Sequence, residues 1–195
     1  MQNSRTATRV RQDEWLLRAV RARSSRPALG SAARALSFAG EHGALWIAGG
    51  LLASRMDQPR RSQWLRATAV VAGAHLASMA VKRVVRRPRP EPDGLQPLVR
   101  TAGKHSFPSS HAASATAAAV AYGRVLGWSA SATPVPSTIS AGSAALGAGA
   151  AAMCLSRLVV GVHYPTDVAA GALLGAASAR AGRDWVRGGA GGQGH

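Results

Sequence analysis

Two histidines, an aspartate and six basic side chains stand in three short polar clusters of an otherwise apolar chain. The clusters are Lys82 to Pro90 (KRVVRRPRP), Phe107 to His111 (FPSSH) and Ser156 to Asp167 (SRLVVGVHYPTD). Lys82, Arg89 and Arg157 offer positive charge. Ser109 and Ser110 follow Pro108 at an expected helix start, where free N–H groups and the helix dipole favour an anion. Such a set suits a phosphate. His111 and His163 are the histidines within the clusters, and two imidazoles beside a bound phosphate divide the work of nucleophile and general acid. Asp167 lies four residues after His163. If the chain is helical there, its carboxylate shares the imidazole's face and holds the proton of the second ring nitrogen, freeing the first to attack.

Taken singly, KRVVRRPRP would serve as a basic membrane anchor and FPSSH as a serine-capped helix start. Together, and on one face of the membrane, they form a site, because ionisable groups at membrane depth are costly. A metal fits less well. Asp167 and Glu41 are the carboxylates expected near membrane depth, and no His, Asp and Glu set has the spacing of a hydrolytic zinc or two-metal centre. No metal ion or other cofactor is therefore expected. His42 and His75, on apolar segments, read as satisfied by neighbouring helices rather than catalytic.

The elements that must carry these clusters are helices in lipid. Hydrophobic residues make up 47% of the chain and charged ones 16%, which leaves little polar surface for a water-soluble globule. Uncharged runs predict helices over roughly 109 to 127 and 137 to 156, separated by a Thr133-Pro134-Val135-Pro136 breaker. The shorter apolar runs 67 to 81 and 168 to 179 reach a span when extended past their polar ends. A first span over about 30 to 54 takes in Arg34, Glu41 and His42. The expectation is an all-α integral membrane bundle of about five transmembrane helices, rich in Ala, Gly and Ser that allow close packing. In that arrangement Trp64, Trp128 and Trp185 fall at one face, as an interfacial aromatic belt would.

Residues 1 to 29 read as a basic N-terminal arm, either amphipathic at the headgroup level or a disordered tail, without a secretory signal. Residues 30 to 187 form the membrane domain and 188 to 195 a flexible Gly-rich tail. Lys+Arg total 24 against 8 Asp+Glu, and Lys82 and Lys104 are the only lysines. A net charge of +16 fits nucleic acid, anionic lipid headgroups or phosphate substrates equally well. Cys154 has no partner for a disulfide and reads as a buried thiol. Basic residues are roughly twice as numerous on the face that carries the clusters, and an excess remains without Lys82, Arg89 and Arg157. The positive-inside tendency then puts that face in the cytoplasm.

The clusters resemble the tripartite signature of the type 2 phosphatidic acid phosphatase superfamily, which includes vanadium-dependent haloperoxidases. That signature runs K-x6-R-P, then P-S-G-H, then S-R-x5-H-x3-D. Lys82, Arg89 and Pro90 match the first part, Pro108, Ser109 and His111 the second, and Ser156, Arg157, His163 and Asp167 the third. Ser110 departs from the pattern by replacing glycine; it keeps the backbone N–H and narrows the cradle slightly. The resemblance implies a membrane phosphatase acting on a lipid phosphate without metal. His163 would attack phosphorus, Asp167 orient it and His111 protonate the leaving oxygen, while Lys82, Arg89, Ser109, Ser110 and Arg157 hold the phosphate. The implied partners are the lipid phosphate and membrane lipids, not nucleic acid, and the expected location is the cell membrane, crossed several times. Two alternatives are a vanadate-dependent haloperoxidase and a non-enzymatic basic protein binding membrane or nucleic acid. The second leaves Asp167 and the two histidines unexplained. Among lipids, the PSSH variant and the small size lean toward a prenyl-linked phosphate, with phosphatidic acid and phosphatidylglycerol phosphate as the other candidates.

Overall fold

The computed structural model describes residues 2–24, 26–91, 96–101, 103–127 and 141–188. The breaker, Trp128 and the tail beyond Gly188 lie outside them. The described residues form α1 (Gln2–Arg23), α2 (Pro27–Ala39), α3 (Ala44–Met56), α4 (Arg61–Val85), α5 (Ser110–Gly127), α6 (Ala141–Val159), α7 (Pro165–Ala181) and a final turn α8 (Arg183–Arg187). No strand occurs among them; Pro88 and His105 form a single β-bridge. The expected helices at 109 to 127, 137 to 156, 67 to 81 and 168 to 179 correspond to α5, α6, α4 and α7.

Helix α5 is the axis of the bundle and packs against α4, α6 and α7. Its sequence explains the position. Ala112, Ala113, Ala115, Ala117, Ala118 and Ala121 are all buried, so backbones approach with no large side chain between them. The contact is closest on α7. A Cβ at Gly171 would meet the Ser109 carbonyl, and one at Gly175 would meet the Ala113 carbonyl.

The polarity of the bundle is inside out. Leu52, Leu76, Leu155 and Leu173 face outward, whereas Ser78, Ser114, Thr68 and Asp167 are buried. Water would penalise the first set. The buried hydroxyls donate to carbonyls one turn back in their own helices, as in Thr68 to Trp64 (2.8 Å) and Ser114 to Ser110 (3.0 Å), which satisfies them without solvent. The stretch Gln58–Val85 and the helix Ala141–Val159 are long and apolar enough to cross a membrane. The protein is an all-α membrane bundle.

Two expectations need correction. The first span is not one helix: α2 and α3 have 13 residues each and are broken by a tight turn at Glu41–Gly43. There His42 and Gly43 take positive φ of 54° and 73°, and the left-handed step redirects the chain so that α2 packs on α6 while α3 packs on α4. Trp64, moreover, is no belt residue. It is 6% exposed in the bundle core, beside Tyr122, and its indole N–H donates to Asp57 (2.9 Å). A carboxylate acceptor within reach of the indole N–H, and the Tyr122 ring beside it, hold the side chain in the core.

The α5–α7 contact yields a stability test. Gly175→Ala should lower the thermal midpoint in detergent, costing about 1–3 kcal/mol by overpacking against backbone. Gly49→Ala, where the added carbon meets nothing within 4 Å, should leave the midpoint unchanged or raise it through helix propensity. Equal midpoints for the two variants would contradict the close approach.

Candidate active site

The three polar clusters meet at one end of the bundle. Helix α4 ends when Arg86 turns left-handed (φ 52°), and the chain then runs extended past Arg87 to Pro90. Ser106 straps this run to the approach to α5, its N–H donating to the Arg87 carbonyl (2.8 Å) and its hydroxyl to that of Pro88 (2.9 Å). Arg89 crosses to the third cluster, donating from Nη1 to the Val162 carbonyl (2.8 Å) and from Nε to the Gly103 carbonyl (2.8 Å). Leu98 N–H closes the same side on the Val160 carbonyl (2.8 Å).

A cavity of about 230 Å³ lies between α2, α4, α5 and the α6–α7 connection. Lys82, Arg89, Ser110, His111, Arg157 and His163 line it. Ser110 opens α5, so the cavity receives that helix's N-terminus as well as three cations, which suits an anion. Arg157 is 3% exposed; its Nη1 donates to the Ser37 hydroxyl and its Nε finds no acceptor within the protein. A buried guanidinium short of one acceptor is a receptor for an oxygen anion.

Two of the eight expected residues stand behind the wall. Ser109 is fully buried at the entry to α5, and its N–H is already given to the Asp167 carbonyl (2.9 Å). Asp167 is fully buried beneath His163. The pair is not held by helical spacing as expected, because His163 precedes the helix and Pro165 opens α7. Asp167 instead folds back over the helix start: Oδ2 accepts the Tyr164 N–H (2.9 Å) and approaches His163 Nδ1 at 3.7 Å. That is longer than a hydrogen bond.

His111 Nε2 sits 3.1 Å from the Ser37 carbonyl. A carbonyl only accepts, so Nε2 carries the proton and Nδ1 is the uncommitted nitrogen. Ser37 thus holds both His111 and Arg157 from α2, where no motif drew notice. Arg87 was passed over too: it donates to Asp167 Oδ1 (2.9 Å), to the Thr166 hydroxyl (2.7 Å) and to Asp13 (2.8 Å). Nothing in KRVVRRPRP singles it out among four arginines. His42 and His75 also differ from expectation. Both line the cavity, with ring centroids 6.4 Å apart, and His75 Nδ1 is buried with no hydrogen-bond partner. Lys104 is exposed and lies away from the wall.

Residues 63–188 match the family model described as the PAP2 superfamily. The chain is 41% identical over 160 residues to the decaprenylphosphoryl-5-phosphoribose phosphatase of Mycolicibacterium smegmatis, covering 82% of this chain and 81% of that one. It is 40% identical over 151 residues, 77% of each chain, to the enzyme of the same name from Mycobacterium tuberculosis. Among solved structures, it shares a fold with the PAP2 type phosphatidylglycerolphosphate phosphatase of Bacillus subtilis. There the TM-score is 0.67 and the identity 22%, over 92% of this chain and 87% of the other. Aquifex aeolicus LpxE gives the same TM-score at 20% identity, over 87% of this chain and 93% of its own.

The site's electrostatics can be tested at His163, which lies in the connection outside the spans. Burial pushes its imidazole down from 6.5 to about 4; Asp167 opposes this, and Arg157, Arg89 and Lys82 reinforce it. The ring is therefore neutral at physiological pH. A histidine-labelled NMR titration should place His163 near 4, and Asp167→Asn should move it lower still by removing the opposing charge. Titration at 6.5 would refute this account of its surroundings.

Proposed function

Since this chain belongs to the PAP2 superfamily, we propose that it is a membrane lipid phosphatase that cleaves the terminal phosphate of a prenyl-linked phosphoribose through a phosphohistidine. The observation that carries this reading is the convergence of Lys82, Arg89, Arg157, His111 and His163 on one cavity at the N-terminus of α5. The two mycobacterial phosphatases, which match over most of both chains, support this choice of substrate.

In this reading Lys82, Arg89 and Arg157 neutralise the phosphate oxygens, and the Ser110 N–H adds a fixed donor that needs no reorganisation during reaction. Ser109 sets where α5 begins. His163 attacks phosphorus in line, its second nitrogen's proton held by Asp167. The phosphorus–oxygen bond to the sugar breaks as the phosphorus–nitrogen bond forms, and His111 gives a proton to the leaving alkoxide. Water then attacks the phosphohistidine with His111 as base, releasing inorganic phosphate. Positive charge in the protein takes the part that metal ions play elsewhere. Asp167, already engaged by Arg87 and Tyr164, is fixed for orienting His163.

Five spans complete the proposal: the broken α2–α3 pair, then α4, α5, α6 and α7. At 13 residues, or about 20 Å, neither half of the first reaches across hydrocarbon alone. Residues 1 to 29 form an arm, 30 to 187 the membrane domain and 188 to 195 a tail. The excess of basic residues puts the site on the cytoplasmic face.

The purified protein should release phosphate from decaprenylphosphoryl-5-phosphoribose faster than from phosphatidic acid or phosphatidylglycerol phosphate. Activity should persist in excess chelator, and vanadate should inhibit as a mimic of five-coordinate phosphorus. Activity lost to chelator and restored by magnesium would overturn the mechanism. His163→Ala should abolish both turnover and phosphoenzyme. His111→Ala should cost about 10²–10⁴-fold on the lipid and much less on an activated aryl phosphate, whose leaving group needs no proton. Equal losses on both substrates would rule out His111 as the acid.

Orientation is checked by labelling. A cysteine placed at Gln96 in a Cys154→Ala background should resist an impermeant thiol reagent in intact cells and react after permeabilisation. Labelling before permeabilisation would put the site outside.

A further inference from the structure

Helix α1 lies outside the family match, which begins at residue 63, and outside the three clusters. It is nevertheless docked on the connection that carries His163. Asp13, Leu17 and Arg21 recur every four residues and so share one face. Each touches that connection or a helix it joins. Leu17 is 1% exposed and packs in a small cluster with Ala112, Leu158 and Val168, the last two on the helices that flank His163. Arg21 donates from Nη1 to the Val159 carbonyl (3.0 Å) and from Nη2 to the Gln96 carbonyl (3.1 Å). It lies against Gly161, whose φ of 78° and lack of a side chain admit the guanidinium. Asp13 grips the other end: its Oδ1 accepts the Thr166 N–H (3.2 Å) and its Oδ2 the Thr166 hydroxyl (2.6 Å).

Asp13 also reaches the chemistry. It is a carboxylate 3% exposed, and its Oδ2 takes Arg87 Nη2 at 2.8 Å while Arg87 Nη1 takes Asp167 Oδ1 at 2.9 Å. The guanidinium lies over the Tyr164 ring, 4.1 Å from its centroid. One cation is thereby shared between two carboxylates, and it fixes the rotamer of the aspartate beside His163. Without Asp13 the Arg87 guanidinium would lose the partner that holds it in place against Asp167.

We propose that α1 is a clamp on the nucleophile's loop, and that Asp13 is a positioning residue acting on Asp167 through Arg87. The proposal rests on the reading of His163 and Asp167 as the reacting pair.

Asp13→Asn should lower kcat about 10-fold with KM within twofold, since outer partners that orient a reacting group contribute about 10–100-fold. Asp13→Glu, which keeps the charge, should recover most of the loss. Arg87→Gln should remove at least as much, and the Asp13→Asn, Arg87→Gln double variant no more than Arg87→Gln alone, because both act through one guanidinium. An unchanged kcat in Asp13→Asn, a rise in KM alone, or additive losses in the double variant would overturn the proposal. If Asp13→Asn fails to fold, Thr166→Val, which removes the hydroxyl shared by both side chains, takes its place with the same expected kcat loss and the same refutation. His163→Ala separates the two levels. Full activity there removes the reading of the site, whereas inactivity there with normal turnover in Asp13→Asn removes only the clamp.

Discussion

Asp167 takes hydrogen bonds from all three polar clusters. Arg87 of the first donates to its carboxylate, Ser109 of the second donates to its main-chain carbonyl, and Tyr164 of the third donates its N–H to the same carboxylate that approaches His163. No other residue described joins all three. The charge is buried at the start of α7, where the helix dipole and the shared Arg87 offset its desolvation. The arrangement of the three clusters is thus referred to one residue rather than to three independent loops.

That aspartate can be reached from three sides only because α5 is thin. A helix built largely of alanine lets α4, α6 and α7 close to backbone contact, and their ends, which carry the clusters, come within a few side-chain lengths of one another. Leucines pushed outward by this arrangement are at no cost in hydrocarbon, while the hydroxyls left inside close on their own helices. Packing and solvation favour the same placement. A water-soluble bundle of this composition would have to bury the leucines and could not keep so slender an axis.

Much of this was legible in the sequence. His163, His111, Arg157, Arg89 and Lys82 announce themselves, since a charged or imidazole side chain in an apolar context needs a reason, and five of them at fixed intervals need a common one. Of the four later helices, two follow from long uncharged runs and two from shorter apolar runs extended past their polar ends. What stayed hidden depends on three-dimensional neighbours. Ser37 is an ordinary serine in α2 until the left-handed turn at His42 and Gly43 brings it over His111 and Arg157. Asp13 and Arg87 carry opposite charges 74 positions apart, and no local pattern pairs them. The Ser109 N–H looked free at a helix start, yet the fold gives it to Asp167. Trp64 has the composition of an interfacial residue and the position of a core one, because Asp57 sits within reach of its indole.

The two glycines of α7 have a consequence for reading variation in this chain. Gly171 and Gly175 do not line the cavity and carry no side-chain proton, but each faces a carbonyl at the start or first turn of α5 with room for a hydrogen and nothing more. Even a methyl group there would wedge the helices apart and carry His163 and Asp167 away from the start of α5. In a map of tolerated substitutions these positions would therefore look as intolerant as His163 itself. Intolerance in such a bundle marks where backbones touch as well as where bonds are made, and the two are told apart by whether the residue has an atom with which to react.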